Sequence, residues 1–194
     1  MGFSTSDEHA LRRYAMSARA SIGTVLARRK SAMAIERILR HAHYSSAQCI
    51  MAYLAAPGEI DMRALCSRAR QDGKQIAYPI WDGQNGMIAA VADEAHMETD
   101  RYGMQEPSLS HADIVIPEEL DLILVPGLSY DRRGQRLGWG GGQYEKFLPL
   151  CHNAFKMGVI FEEQMVDQVI SQHPGKTVDA VATDADIYEC GCEP

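Results

Sequence analysis

Nothing in the 194 residues approaches the roughly 18 consecutive apolar positions that a membrane-spanning helix needs. Met1 to His9 hold no apolar stretch of the kind found in a secretory leader. Basic residues are in short supply, with 19 Lys and Arg against 26 Asp and Glu for a formal net charge of -7. That balance argues against a general nucleic-acid or anionic-membrane surface and leaves room only for a local basic pocket. Cysteine is sparse and odd in number: Cys49, Cys66, Cys151, Cys190 and Cys192 are scattered and form no disulfide framework. The Cys190-Gly191-Cys192 triplet lacks the partner spacing of a metal site and reads as a reduced tail. There is no internal repeat and no low-complexity linker. The expectation is a cytoplasmic protein with no nucleic-acid or membrane partner, working as a monomer or weak homo-oligomer.

What is present is enough apolar material, 46% of the chain, to bury a core without staples. At about 150 residues per domain the whole chain, 1–194, reads as a single domain. Thr5-Ser6-Asp7-Glu8 fits a capping box, and Leu11, Tyr14, Ala15, Ala18 and Ile22 follow at helical spacing. Further helices are expected over about 31–41 and 61–71, the latter closed by Gly73. Strands are expected at Cys49 to Leu54, Gln75 to Tyr78 closed by Pro79, Leu120 to Pro126, Met157 to Phe161 and Val178 to Thr183. Asn85-Gly86, between Trp81 and Met87, is a hairpin signal, and 93–118 reads as irregular. Strands alternating with helices predict an α/β fold with a mostly parallel sheet covered on both faces.

The chemistry concentrates after the clearest strand. From Gly127 to Glu145 six of nineteen residues are glycine, and Gly138, Gly140, Gly141 and Gly142 immediately precede a short helix over about 143–148. Glycines there let a backbone approach a ligand and aim successive N–H groups at it, and a helix N-terminus favours an anion. Arg132, Arg133 and Arg136 supply guanidinium forks suited to phosphate. Asp131 and Glu145 supply oxygen for Mg2+, which takes one or two carboxylates and completes its shell with water and phosphate. The segment matches neither the Walker A pattern nor G-x-G-x-x-G after a strand, so these residues alone point to a phosphate site of unnamed type. A glycine-rich surface loop is the competing reading.

The stretch Asp121 to Leu148, DLILVPGLSYDRRGQRLGWGGGQYEKFL, resembles the signature of the 5-formyltetrahydrofolate cyclo-ligase (5,10-methenyltetrahydrofolate synthetase) family. Glu59-Ile60, Pro79, Tyr102 to Pro107 and Gly158 to Gln164 resemble further family segments in the same order, so the likeness runs from Leu11 to Thr183. The resemblance implies a three-layer α/β/α fold with a mostly parallel open sheet of the CoA-transferase-like kind. It also implies ATP- and Mg2+-dependent cyclisation of 5-formyltetrahydrofolate to 5,10-methenyltetrahydrofolate, with release of ADP and phosphate after phosphoryl activation of the formyl oxygen. By position it assigns ATP binding to Arg12, Arg136, Gly138, Gly140, Gly141, Gly142, Gln143 and Tyr144, with Arg136 and Tyr144 also catalytic. Glu145 and Asp131 become the metal residues, and Glu59, Tyr53, Met87 and Trp139 the folate contacts. Met51 and Trp81 are further neighbours for the folate, although apolar strand residues are more often core.

The sequence departs from the family pattern at four places. Glu8 stands where a phosphate-binding lysine belongs, Ile80 where a basic residue often follows the strand-ending proline, and Glu145 where an aspartate holds metal. Pro174-Gly175 replaces a His-Asp pair, with His173 displaced by one. These motivate an alternative: a catalytically impaired folate- or nucleotide-binding relative acting as a sensor or partner protein. A sugar-phosphate or acyl-CoA enzyme on a similar sheet is the third reading.

Overall fold

In the computed structural model, which describes residues 7–81, 86–92, 97–99, 105–170 and 177–191, short apolar runs become strands buried on both faces. The chain begins with α1 (Glu8–Ala20), α2 (Thr24–Arg40), α3 (Ala42–Ser46), β1 (Cys49–Met51), α4 (Arg63–Gln71) and β2 (Gln75–Trp81). It continues with β3 (Met87–Ala92), β4 (Met97–Thr99), β5 (Gln105–Pro107), β6 (Ala112–Val115) and β7 (Leu122–Pro126). A two-residue hairpin, β8 (Ser129–Tyr130) and β9 (Arg136–Leu137), precedes α5 (Gln143–Phe147), and β10 (Phe155–Val159), β11 (Ala180–Ala182) and β12 (Ile187–Glu189) complete the order.

Eight strands form the main sheet in the order β12-β11-β10-β7-β1-β2-β3-β6. The run from β11 to β2 is parallel, and β12 at one end with β3 and β6 at the other are antiparallel. Period-two alternation divides the side chains between two cores. Ile50, Ile76, Leu122, Leu124 and Met157 face α2, α3 and α4 through Ile38, Tyr44 and Leu65. Met51, Ala77, Ile123, Val125 and Val181 face Phe147, Leu148 and Cys151 in and after α5. The three-layer α/β/α expectation therefore holds, and each fully buried Leu or Ile contributes roughly 1.5–3 kcal/mol to it. Lys30 on α2 pins this layer to the strand ends by pairing with Asp184 at 2.6 Å and Glu163 at 2.7 Å.

Helix α1 belongs to neither layer. Its buried Leu11 and Ala15 pack on Leu128, Leu137, Val166 and Val169, in the segments leaving the carboxyl ends of β7 and β10. Ligands of open α/β sheets sit at that edge. No helix among the described residues is long and apolar enough to cross a membrane.

Several expected boundaries change. The cap of α1 is Asp7, whose carboxylate accepts from the His9 N–H at 2.9 Å, while Thr5 and Ser6 lie outside the described residues. Helix α2 starts at Thr24, seven residues before the expected Ser31; its first turns leave Val25 and Leu26 exposed, so no apolar periodicity marked them. Strand β1 ends at Met51 rather than Leu54. The strands flanking the expected Asn85-Gly86 turn pair antiparallel, Trp81 with Met87, while Asn85 lies outside the described residues. Within the supposedly irregular 93–118, β6 pairs with β3.

Candidate active site

The glycine-rich segment is held by its neighbours before it reaches its first exposed glycines. The buried Gln164 side chain accepts from the Phe161 N–H at 3.1 Å and donates to the Leu128 carbonyl at 2.7 Å, tying the exit of β10 to that of β7. This accounts for the glutamine of the Gly158 to Gln164 segment. Asp131 caps the β8–β9 turn: one carboxylate oxygen accepts from the N–H groups of Arg133 and Gln135, the other from that of Val169 at 2.9 Å. With both oxygens accepting from backbone donors and the residue buried, Asp131 holds the loop in shape. Arg132 leaves the segment to stack over Tyr188 on β12, 4.2 Å from the ring centroid.

Arg136 is the centre of the arrangement. Strand β9 sends its side chain inward, where Nε donates to the Pro126 carbonyl at 2.8 Å and Nη1 to Glu145 Oε1 at 2.8 Å. The guanidinium lies 4.9 Å from the centroid of the buried Tyr144 ring, a cation–π placement. Gly138 lies against it, and a Cβ there would lie 2.2 Å from Nη1, so a side chain at 138 would push the guanidinium off its partners. Glu145 is 29% exposed on its side chain against 5% for Arg136, so a buried cation meets a carboxylate that still reaches water.

Arg12 on α1 donates to the Gly138 carbonyl at 2.5 Å and to Glu8 Oε1 through Nη2 at 2.8 Å. Gly140 and Gly141 are exposed, as is Gln143, while Gly142 is half-buried as the cap of α5. They form a rim beside Arg136.

On the other side of Gly138 stands Glu59, in the loop after β1. Its Oε2 accepts from the Ala56 N–H at 3.0 Å and its Oε1 lies 3.5 Å from Arg19 Nη1. Burial raises its pKa, opposed by the Ala56 N–H, Arg19, the indole N–H of Trp139 and the charge of Arg136. Trp139, half-exposed, also takes the Arg19 guanidinium over its ring at 4.9 Å. A raised carboxyl pKa means that the folded protein keeps a proton which the unfolded chain has already released. Stability from this source is complete below the ordinary glutamate value and is lost as pH rises through the folded pKa. Glu59→Gln, neutral throughout, should therefore gain stability relative to the parent between pH 4 and pH 7, a range set by where an ordinary glutamate begins to ionise. Urea unfolding across that range checks it, and a difference that stays level or falls with pH removes the burial argument.

The structure thus gathers Arg12, Arg136, Gly138, Tyr144, Glu145, Glu59 and Trp139 around one loop. Tyr53 is buried close to Glu59 and Tyr144, whose charges act on its hydroxyl, and that hydroxyl donates to the Ile60 carbonyl at 2.9 Å. Met87 packs on the second core, which also contains Tyr144. Arg19 was not singled out from the sequence, although a signal existed, since it lies seven residues after Arg12 and hence on the same helix face. Among the described residues no group of three or more His, Cys, Asp or Glu is arranged to hold a metal ion. Tyr102 to Met104, His173, Pro174-Gly175 and Cys192 lie outside the described residues.

An α/β protein with a buried arginine, a glycine rim and two carboxylates at the carboxyl edge of a parallel sheet belongs to the class that holds small ligands there. The profile of the 5-formyltetrahydrofolate cyclo-ligase family matches residues 4–184, and the chain belongs to that family. It is 24% identical over 161 residues to the 5-formyltetrahydrofolate cyclo-ligase of Escherichia coli K12, covering 80% of this chain and 88% of that one. It is 25% identical over 170 residues to that of Mus musculus, covering 81% and 84%. Its fold is similar to that of the 5,10-methenyltetrahydrofolate synthetase of Aquifex aeolicus, with a TM-score of 0.84 at 23% identity over 96% of this chain and 94% of the other. The synthetase of Mycoplasma pneumoniae gives 0.73 at 17% identity, over 92% and 99%.

Proposed function

We propose that the protein cyclises 5-formyltetrahydrofolate to 5,10-methenyltetrahydrofolate at the expense of ATP with Mg2+, releasing ADP and phosphate. Family membership and the names of its relatives support the substrate. The observation that carries the reading is Arg136, a buried guanidinium fixed by Pro126 and Tyr144 under the glycine rim.

A formamide oxygen is a poor leaving group until phosphorylated, after which the folate N10 closes the ring. The protein's part is to align the formyl oxygen with the phosphate and to neutralise charge as it develops. In this reading Arg136 and the N–H groups of Gly140, Gly141, Gly142 and Gln143 hold phosphate, and Arg136 needs little rearrangement because Tyr144 and Pro126 already orient it. Arg12 fixes the Gly138 carbonyl so that the rim keeps its shape. Glu59 and the open face of Trp139 receive the folate. Glu145 fits Mg2+: it is part-exposed, and Oε2 has no protein partner among the described residues. The ion supplies positive charge to phosphate oxygens when bound. None of the cysteines is needed, and the four described are buried and form no disulfide.

The test follows methenyltetrahydrofolate by its near-ultraviolet absorption, with ATP and Mg2+ added together and singly. Product only when both are present is the expected result. No product and no ADP overturns the reading.

One observation favours the second reading, a relative kept for binding. Glu8 takes up the Nε and Nη2 donors of Arg12, so little of that guanidinium is left for phosphate. Tight folate binding by calorimetry without turnover would establish it.

A further inference from the structure

Arg19, at the last turn of α1, touches both halves of the candidate site. Its guanidinium approaches Glu59 Oε1 at 3.5 Å and lies over the Trp139 ring, and only 11% of its side chain is exposed. Trp139 in turn lies near enough to the same carboxylate to favour its charged form. Three segments far apart in sequence, the end of α1, the loop after β1 and the glycine rim, are thereby joined through one cation, one ring and one carboxylate. On α1 the two arginines of this face divide the work, since Arg12 holds the Gly138 carbonyl and Arg19 holds the next side chain, Trp139.

The consequence for ligand binding follows from what is left open. Trp139 remains 53% exposed although its ring has Arg19 against it. An exposed indole on a glycine-rich loop ordinarily samples several rotamers, and ordering it on binding costs affinity. Here that ordering is done in advance by Arg19. We propose that Arg19 is a positioning residue for the folate side of the site. It holds Trp139 and Glu59 as one preformed wall, so that the loop carrying the phosphate rim and the loop carrying the buried carboxylate meet the flat, polar substrate together. This rests on the cyclo-ligase reading for the identity of the substrate and on the geometry alone for the wall.

Arg19→Met keeps the aliphatic stem and removes the guanidinium, so packing of the stem is not what changes. Its KM for 5-formyltetrahydrofolate should rise about tenfold while the KM for ATP stays within about twofold, because only the folate wall loses its order. Arg19→Lys restores a cation without the flat fork and should recover part of the loss. The chain has two tryptophans, Trp81 and Trp139, so a Trp81→Phe background leaves Trp139 as the sole indole reporter. In that background, without any ligand, Arg19→Met should shift the emission to the red and increase acrylamide quenching. Unchanged emission and quenching overturn the proposal, as does a folate KM that does not move or an ATP KM that moves with it. Should the parent protein make no methenyl product, the cyclo-ligase reading fails and the fluorescence alone decides whether Arg19 orders the wall.

Discussion

Arg136→Met is expected to lower turnover by about 100–1000-fold, the scale on which a fixed donor to developing charge acts. It should also destabilise the fold by about 2–4 kcal/mol. The two losses have separate causes. Activity falls because the positive charge beneath the glycine rim disappears and nothing nearby replaces it: Arg12 is engaged by Gly138 and Glu8, Arg19 by Glu59 and Trp139, and Arg132 by Tyr188. Stability falls because the Pro126 carbonyl loses its donor and Tyr144 its cation. Glu145, being 29% exposed, recovers hydration, which keeps the cost below that of stranding a fully buried charge. Arg136→Lys keeps the charge but cannot donate to Pro126 and Glu145 from one planar fork, and should fall short by about 10–100-fold in rate with a smaller loss of stability. Product absorbance and urea unfolding read both quantities. A methionine variant within tenfold of the parent in rate would remove Arg136 from the chemistry.

That centre was legible in the sequence because the strand Leu122–Pro126 is a continuous apolar run followed by six glycines in nineteen residues. Other features depend on what the chain meets elsewhere. Pro79 looks like the end of β2, yet the strand continues to Trp81. The Ala77 carbonyl faces β1, where it accepts from Ala52, so by alternation the nitrogen of Pro79 faces the same side, beyond the last β1 pairing at Met51. A missing donor costs nothing where no partner remains. Strand β6 gave no signal because it is an edge strand with Ile114 65% exposed, and only its register with β3 makes it a strand. Asp131 beside arginines and glycines has the composition of a metal residue, and only the folded turn shows three N–H groups converging on it. Arg19 likewise became visible as a site residue once the loop after β1 was placed against α1.

Gly158→Ala should be the most damaging single methyl group in the sheet. Gly158 sits in β10 between Val125 of β7 and Val181 of β11, and its face is filled by the fully buried ring of Tyr130. An added Cβ would lie 2.7 Å from Tyr130 Cζ and 2.9–3.0 Å from both Cε atoms. The ring has no retreat, since a Cβ on Gly127 would lie 2.6 Å from Cε2 and the hydroxyl is fixed to the Val125 carbonyl at 3.0 Å. Overpacking of this kind costs about 3 kcal/mol, which for a domain of this size is roughly 6–12 °C in Tm. Activity should fall as well, by about 100-fold if the β8 segment shifts by an ångström, because Tyr130 opens the hairpin that carries Arg136. Combining Gly158→Ala with Tyr130→Leu makes room for the methyl group, so the double variant should lose less than the sum of the two single ones, a coupling of about 1 kcal/mol or more. Calorimetric Tm values for the four proteins of the cycle decide the matter. Strict additivity would mean that the methyl group is accommodated by movement of the sheet, leaving Tyr130 with no part in the glycine requirement at 158.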